Sequence, residues 1–158
     1  MKLFKAPEDW KKYKQENPDL PIVFLAGSIE GDTAEKWQDK VSESLKDYNI
    51  IVLNPRRDDW DNSWKQSIKD KNFNEQVSWE LESMENSNII LMYFDKDTKS
   101  PISLLELGLF AKTDKLVVVC PDGFWRKGNV DIVCKRYDVA TLNTLDKAIL
   151  ELKKWLTE

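Results

Sequence analysis

The sequence predicts an α/β fold: a doubly wound parallel sheet with helices on both faces. Three observations predict it. Apolar runs rich in Val, Ile and Leu lack the polar alternation of a half-exposed strand, as expected for strands covered on both sides. Segments of helical periodicity lie between those runs. The runs close on Gly, Pro or Asp, residues that end regular structure and start loops.

Each element follows in order. PIVFLAG (21–27) reads as the first strand and TAEKWQDKVSESLKDY (33–48) as an amphipathic helix. NIIVLNP (49–55) is the second strand, closed by proline. A polar, Trp-rich loop, RRDDWDNSWKQS, leads to a helix over 71–87 with a core stripe of Val77, Leu81 and Met84. NIILMYFD (88–95) is the third strand, and Ser100 with Pro101 makes a natural start for the helix of SPISLLELGLFAK. LVVVCP (116–121) is the fourth strand. The loop DGFWRKGN precedes a short helix around 129–136, VATL supplies a short last strand, and LDKAILELKKWL a terminal helix. The first 20 residues form an N-terminal helix or arm. Five βα units of this size fit a five-stranded, flavodoxin-like sheet in one domain spanning 1–158.

Composition narrows the chemistry. A net charge of −4 disfavours binding a nucleic-acid duplex through its phosphates. No apolar stretch reaches the roughly 18 residues of a membrane span, and the start lacks the apolar core of a secretory signal. No membrane association is expected, and a reducing cytoplasm is the expected compartment. Cys120 and Cys134 have no metal-ligand spacing and make no disulfide framework. Histidine is absent, which excludes Ser-His-Asp and Cys-His catalysis and His-ligated metals. Carboxylates are the expected carriers of acid–base chemistry near neutral pH, since Lys or Tyr would need a large downward pKa shift to serve as a base. No cofactor or metal ion is expected.

In doubly wound sheets a ligand sits beyond the carboxyl ends of the strands, where the winding reverses. Gly27, Ser28, Ile29, Glu30 and Gly31 follow the first strand, and Asn54, Arg56, Arg57, Asp58 and Trp60 the second. Asp95, Asp97 and Ser100 follow the third, and Asp122, Trp125, Arg126 and Asn129 the fourth. Polar groups mixed with tryptophan suit a flat, hydrogen-bonding ligand such as a nucleobase, although Trp60 and Trp64 would equally serve to pack a long loop. Ser28, Arg56, Arg57 and Ser100 are candidate phosphate ligands, and the two arginines also have Asp58, Asp59 and Asp61 as partners. AGSIEGD lacks the Lys-Ser/Thr of a P-loop and the third glycine of a dinucleotide fingerprint.

One carboxylate stands out. Glu106 lies among Leu104, Leu105, Leu107, Leu109 and Phe110 in a helix that follows a buried strand. An apolar setting makes ionisation costly, so such a group is paired, protonated or employed, unless it escapes to solvent at the helix edge. Glu80 lies beside the apolar stripe of the preceding helix, next to Trp79. Periodicity alone reads it as solvated.

VFLAGSIEG, WELESMENSNIILMYF and SPISLLELGLFAKTDKLVVV together resemble the nucleoside 2-deoxyribosyltransferase family and its hydrolytic relatives, the nucleoside 5′-monophosphate N-glycosidases. The likeness extends over NPRRDDW and CPDGFWRKGNVDIVC, from 21 to about 140, and is nearest to a branch found in phages and bacteria. It implies that Glu106, in ELG, attacks the anomeric carbon of a sugar and that the reaction retains configuration. An acidic residue in the preceding helix assists at the base or sugar. That position is Glu80 here, where the family usually has Asp, and a carboxylic acid kept protonated by burial, Glu80 or Asp95, would give the departing base its proton. The resemblance implies a nucleoside or its 5′-monophosphate as substrate, bound by Gly27, Ser28, Ile29, Arg56, Asp58, Trp60, Asp95, Ser100, Trp125 and Asn129. It also implies a homodimer or larger homo-oligomer whose FWRKGN loop completes a neighbouring site, the alternative being a local lid. Phe24 replaces a family tyrosine that orients the nucleophile, and Ser100 stands where transferases carry a base-binding Asp. Those departures would suit a catalytically silent nucleotide-binding module. A flavodoxin-like electron carrier is disfavoured, because the loop after the first strand carries Glu30 in place of a run of Ser and Thr.

Overall fold

A computed structural model describes residues 1–30 and 34–158. The strands are β1 (Lys2–Lys5), β2 (Ile22–Gly27), β3 (Ile51–Asn54), β4 (Ile89–Tyr93), β5 (Leu116–Val119) and β6 (Ala140–Leu142). The helices are α1 (Lys11–Glu16), α2 (Trp37–Ser44), α3 (Lys71–Asn86), α4 (Pro101–Phe110), α5 (Lys127–Arg136) and α6 (Leu145–Trp155). All pairings are parallel, in the order β1-β3-β2-β4-β5-β6. Without β1, that is the flavodoxin-like order. Among the described residues no helix is long and apolar enough to cross a membrane.

The sheet therefore has six strands, not five. The additional one comes from the N-terminal segment expected to be a helix or arm, which supplies both β1 and the short α1. β1 lies at the sheet edge and pairs with β3 from Lys2↔Ile51 to Lys5↔Asn54. An edge strand needs far less apolar sequence than a central one. Phe4 is buried, while the flanking lysines stay wet and discourage further edge pairing. The other strands start and stop close to the expected positions. α2 begins at Trp37, later than the expected 33. Residue 33, like Gly31, lies outside the described residues.

Strand residues alternate between two cores. Phe24, Ala26, Leu53, Met92 and Val118 face α1, α3, α4 and α5. Val23, Leu25, Val52 and Leu91 face α2 and α6. The winding thus reverses between neighbours β2 and β4: α2 leaves β2 toward one face, and α4 leaves β4 toward the other. In open α/β sheets a ligand binds at such a divergence, beyond the carboxyl ends of the two strands.

Gly27 and Tyr93 form the last pair of this junction. Gly27 has φ +130, and a Cβ there would lie 2.1 Å from the Tyr93 carbonyl oxygen. Only glycine tolerates both the backbone conformation and the approach. Trp37, fully buried, closes the junction from the other face: its ring lies 5.3 Å from that of Tyr93, and its indole N–H donates to the Ser28 carbonyl at 3.0 Å. Gly27→Ala is expected to destabilise the protein by about 3 kcal/mol, through positive-φ strain and strand separation. Urea unfolding checks it, and a loss below about 0.5 kcal/mol would show that the junction relaxes freely.

Candidate functional site: a cleft with two buried acids

α3 and α4 both pack on β2. Asp70 caps α3, accepting from Phe73 N at 3.0 Å and from Lys65 N at 2.9 Å. α4 begins differently from a capped helix. Pro101 occupies the first turn, and Ser100 is left-handed at φ 46 with no side-chain cap bond. Its hydroxyl turns back into a buried cluster with Ser28 (2.6 Å) and Thr98 (2.7 Å). Ser28 Oγ also accepts from Asp95 N, and the Glu30 carboxylate accepts from Lys99 N and Ser100 N. Bonds from the loops after β2 and β4 thereby set the direction of α4.

The faces of α4 are inverted relative to an ordinary core helix. Ser103, Glu106, Leu107 and Phe110 are buried. Ile102, Leu105 and Leu109 are exposed. The leucines expected to cover most of the helix surface thus leave a serine and a glutamate facing inward and an apolar stripe facing out.

Glu106 is 8% exposed, and no residue among those described gives its carboxylate a hydrogen bond or a cation. Its oxygens are not sealed, because the sealed unpartnered polar atoms among the described residues are Gln38 Nε2 and Ser42 Oγ. Burial, and then the charge of Glu80, push its carboxyl up to about 8. Burial likewise pushes Glu80 up to about 7, against the pull of a hydrogen bond donated by Gln76 at 2.7 Å. Glu80 keeps part of its side chain accessible while its carboxyl is crowded by protein atoms, as at the floor of a cleft. Charge on the first acid to ionise penalises the second, so the pair titrates as a unit. Phe24 lies on the same sheet face and stacks on Trp79, with ring centroids 6.2 Å apart.

The other expected binding residues fall into three groups. Gly27, Ser28, Ile29, Asp95 and Ser100 belong to the junction between the β2 and β4 loops. There Asp95 accepts from Asp97 N at 2.9 Å and from Glu35 N at 3.3 Å, and the half-buried Ile29 accepts from Ala34 N through its carbonyl. Arg56 is buried, and its guanidinium donates to the carbonyls of Ala34 and Glu35 and to Gln38, tying the loop after β2 to the end of β3. Asp58 pairs with Lys5 at 2.9 Å on the open surface. Trp60 is exposed and meets Trp64 edge-on at 5.0 Å. In the third group, Trp125 donates to the Lys99 carbonyl at 2.8 Å, covering the loop before α4. Asn129 lines a groove of about 310 Å³ between α4 and α5 with Leu104 and Leu107. A larger cavity, about 580 Å³, opens at the amino ends of β4, β5 and β6, away from both acids, and it contributes nothing to this cleft.

Three contributors were missed by sequence reasoning. Thr98 and Ser103 sit beside named residues, and Ser103 was recoverable as the inward position one turn before Glu106. Gln76 was recoverable as the i−4 neighbour of Glu80.

A flavodoxin-like sheet whose winding reversal carries two acids with raised pKa, neither paired with a cation among the described residues, places a candidate ligand site there. The model of the family described as Nucleoside 2-deoxyribosyltransferase like matches residues 21–124, and the chain belongs to that family. The matched segment runs from β2 through β5 and includes Glu80 and Glu106. None of the curated proteins compared with the chain matches it. Family membership suggests nucleoside deoxyribosyltransferase-like activity.

Both acids bind protons more tightly in the folded than in the unfolded chain, from the ordinary 4.5 up to about 7 and about 8. Stability is therefore fully present below about pH 4.5, falls as pH rises through that window, and levels off above about 8. Glu106→Gln keeps the shape and removes one ionisation. It is expected to match wild type near about pH 5 and to exceed it by on the order of 2 kcal/mol near about pH 9. Urea melts at both values check this, and a variant weaker at both would make Glu106 a structural partner.

Proposed function

We propose that the protein cleaves the N-glycosidic bond of a nucleoside or nucleoside 5′-monophosphate and passes the sugar to water or to a second base. The observation that carries this reading is the buried Glu106, without a partner among the described residues, and a second raised acid, Glu80, whose charge acts on it. Anionic Glu106 attacks the anomeric carbon as the bond to the base breaks. Protonated Glu80 gives its proton to the departing base, whose ring nitrogen keeps the bonding electrons. A sugar ester forms on Glu106. Water or an acceptor base then opens it from the opposite face, returning a proton to Glu80, with overall retention. In the empty cleft burial favours the proton on Glu106. Positive charge developing on the sugar favours the anion there and moves the proton to Glu80.

Phe24 supports a second reading, a nucleotide-binding module without turnover, because no hydroxyl holds the nucleophile at that position. The homo-oligomer implied by the family likeness is proposed to form through the exposed Ile102, Leu105 and Leu109 stripe, on the opposite side of the helix that carries Glu106.

A panel of nucleosides and 5′-monophosphates, with and without a free acceptor base, separates the readings through released or exchanged base. Turnover is expected, and Glu106→Gln is expected to lose it by on the order of 10³-fold or more. Ligand binding by calorimetry without any base release would favour the silent module. Because one proton on the pair is the active form, kcat/KM is expected to peak between about 7 and about 8. Below that range the nucleophile is protonated, and above it the acid is lost. Glu80→Gln is expected to abolish the alkaline limb, and an alkaline limb persisting in that variant would remove Glu80 from the acid role.

A further inference from the structure

Gln76 sits one turn before Glu80 on α3 and is 3% exposed. Its amide makes three hydrogen bonds, and two of them have no choice of direction. Nε2 donates to the Pro55 carbonyl at 3.0 Å, an atom that only accepts. Oε1 accepts from the Arg57 guanidinium at 3.4 Å, a group that only donates. A flipped amide would set like against like at both places, so these partners settle its orientation. The second N–H of Nε2 then points at Glu80 Oε1, 2.7 Å away. Glu80 Oε1 is an acceptor whether or not the carboxyl is charged. A carbonyl oxygen is the stronger acceptor of a carboxylic acid, so this bond favours Oε2 as the protonated oxygen.

We propose that Gln76 is a positioning residue that pins Glu80 Oε1 as an acceptor, so that Oε2 carries and delivers the proton to the leaving base. The proposal rests on the functional reading above and names how its acid is aimed. As the bond between the anomeric carbon and the base breaks, its electron pair stays on the base nitrogen, which takes the Oε2 proton. The carboxylate left behind remains held by Gln76. It recovers a proton from the incoming water or acceptor base in the second step. Arg57 anchors this arrangement from behind. Asp59 grips its guanidinium at 2.9 and 3.1 Å, and it lies 4.8 Å from the Trp64 ring. The Trp-rich loop between β3 and α3 thus holds the amide that holds the acid. Among the described residues, the titratable group facing Glu80 from a packed element is Glu106 of α4, while Arg57 stands behind Gln76.

The test is a carbon-13 NMR titration of the side-chain carboxyls in the full chain, with Glu80 assigned through Glu80→Gln, for wild type, Gln76→Leu and Arg57→Met. Removing the donor from the charged form is expected to move the Glu80 midpoint up by about one pH unit in Gln76→Leu. Arg57→Met removes the bond to Oε1 and leaves the amide held by Pro55 and Glu80, and a smaller upward shift is expected. The kcat/KM bell is expected to move to higher pH in the same order, with kcat falling more than KM changes. An unchanged Glu80 midpoint in folded Gln76→Leu overturns the proposal. If that variant does not fold, an unchanged midpoint in Arg57→Met overturns it. A protein inactive on the whole nucleoside panel overturns the functional reading instead, and with it the proton delivery, while the titration still reports the bond.

Discussion

Burial raises the pKa of two carboxyl groups, Glu80 and Glu106, and neither can ionise without cost to the fold. Glu106 has neither cation nor hydrogen-bond donor among the described residues, and its neighbour Glu80 has one amide donor. A buried acid left in that condition is destabilising wherever it is charged. The rest of the site is arranged around this cost. A core that only had to pack would place Leu105 or Leu109 inward. α4 instead turns Ser103 and Glu106 inward beside Leu107 and Phe110 and leaves Leu105 and Leu109 outside.

The sheet supplies the rigidity that the cleft needs. β2 and β4 are central strands, buried on both faces, and they diverge at Gly27 and Tyr93. Beyond that point the hydroxyls of Ser28, Thr98 and Ser100 satisfy one another, and Trp37 holds the Ser28 carbonyl from the far side. Several residues that chemistry alone would assign to a ligand are engaged in holding this junction. Arg56 is the clearest case: a guanidinium that looks like a phosphate ligand in sequence donates to two main-chain carbonyls and Gln38. A charged group's residue type says what it is able to bind, and the fold decides what it meets.

Much of the architecture was legible because its signals are local. Continuous β-branched runs marked five of the six strands, and Ser100-Pro101 marked the start of α4. β1 escaped because Lys2–Lys5, Leu and Phe between two lysines, is too short and charged to read as a strand until β3 offers it a partner, and edge pairing of that kind is a long-range event. The prominence of Glu106 was also local, since one acid among leucines is visible on the page. Glu80 was ambiguous. Helical periodicity left it at the border of the apolar stripe, and its carboxyl is crowded only once the chain folds around α3.

By itself, the sequence determined the alternation of strands and helices, the absence of imidazole chemistry, and the presence of an acid that hydrocarbon would surround. These follow from residue type and spacing, which act over one or two turns of chain. The tertiary structure alone decided that Glu80 and Glu106 feel each other's charge, that Arg56 is tied to the loop after β2, and that Gln76 offers Glu80 an N–H in place of an oxygen. Each of these depends on groups brought together from separate elements. Electrostatics and hydrogen-bond polarity are set by distance in space and by which partner is a donor, and neither is written in the order of residues.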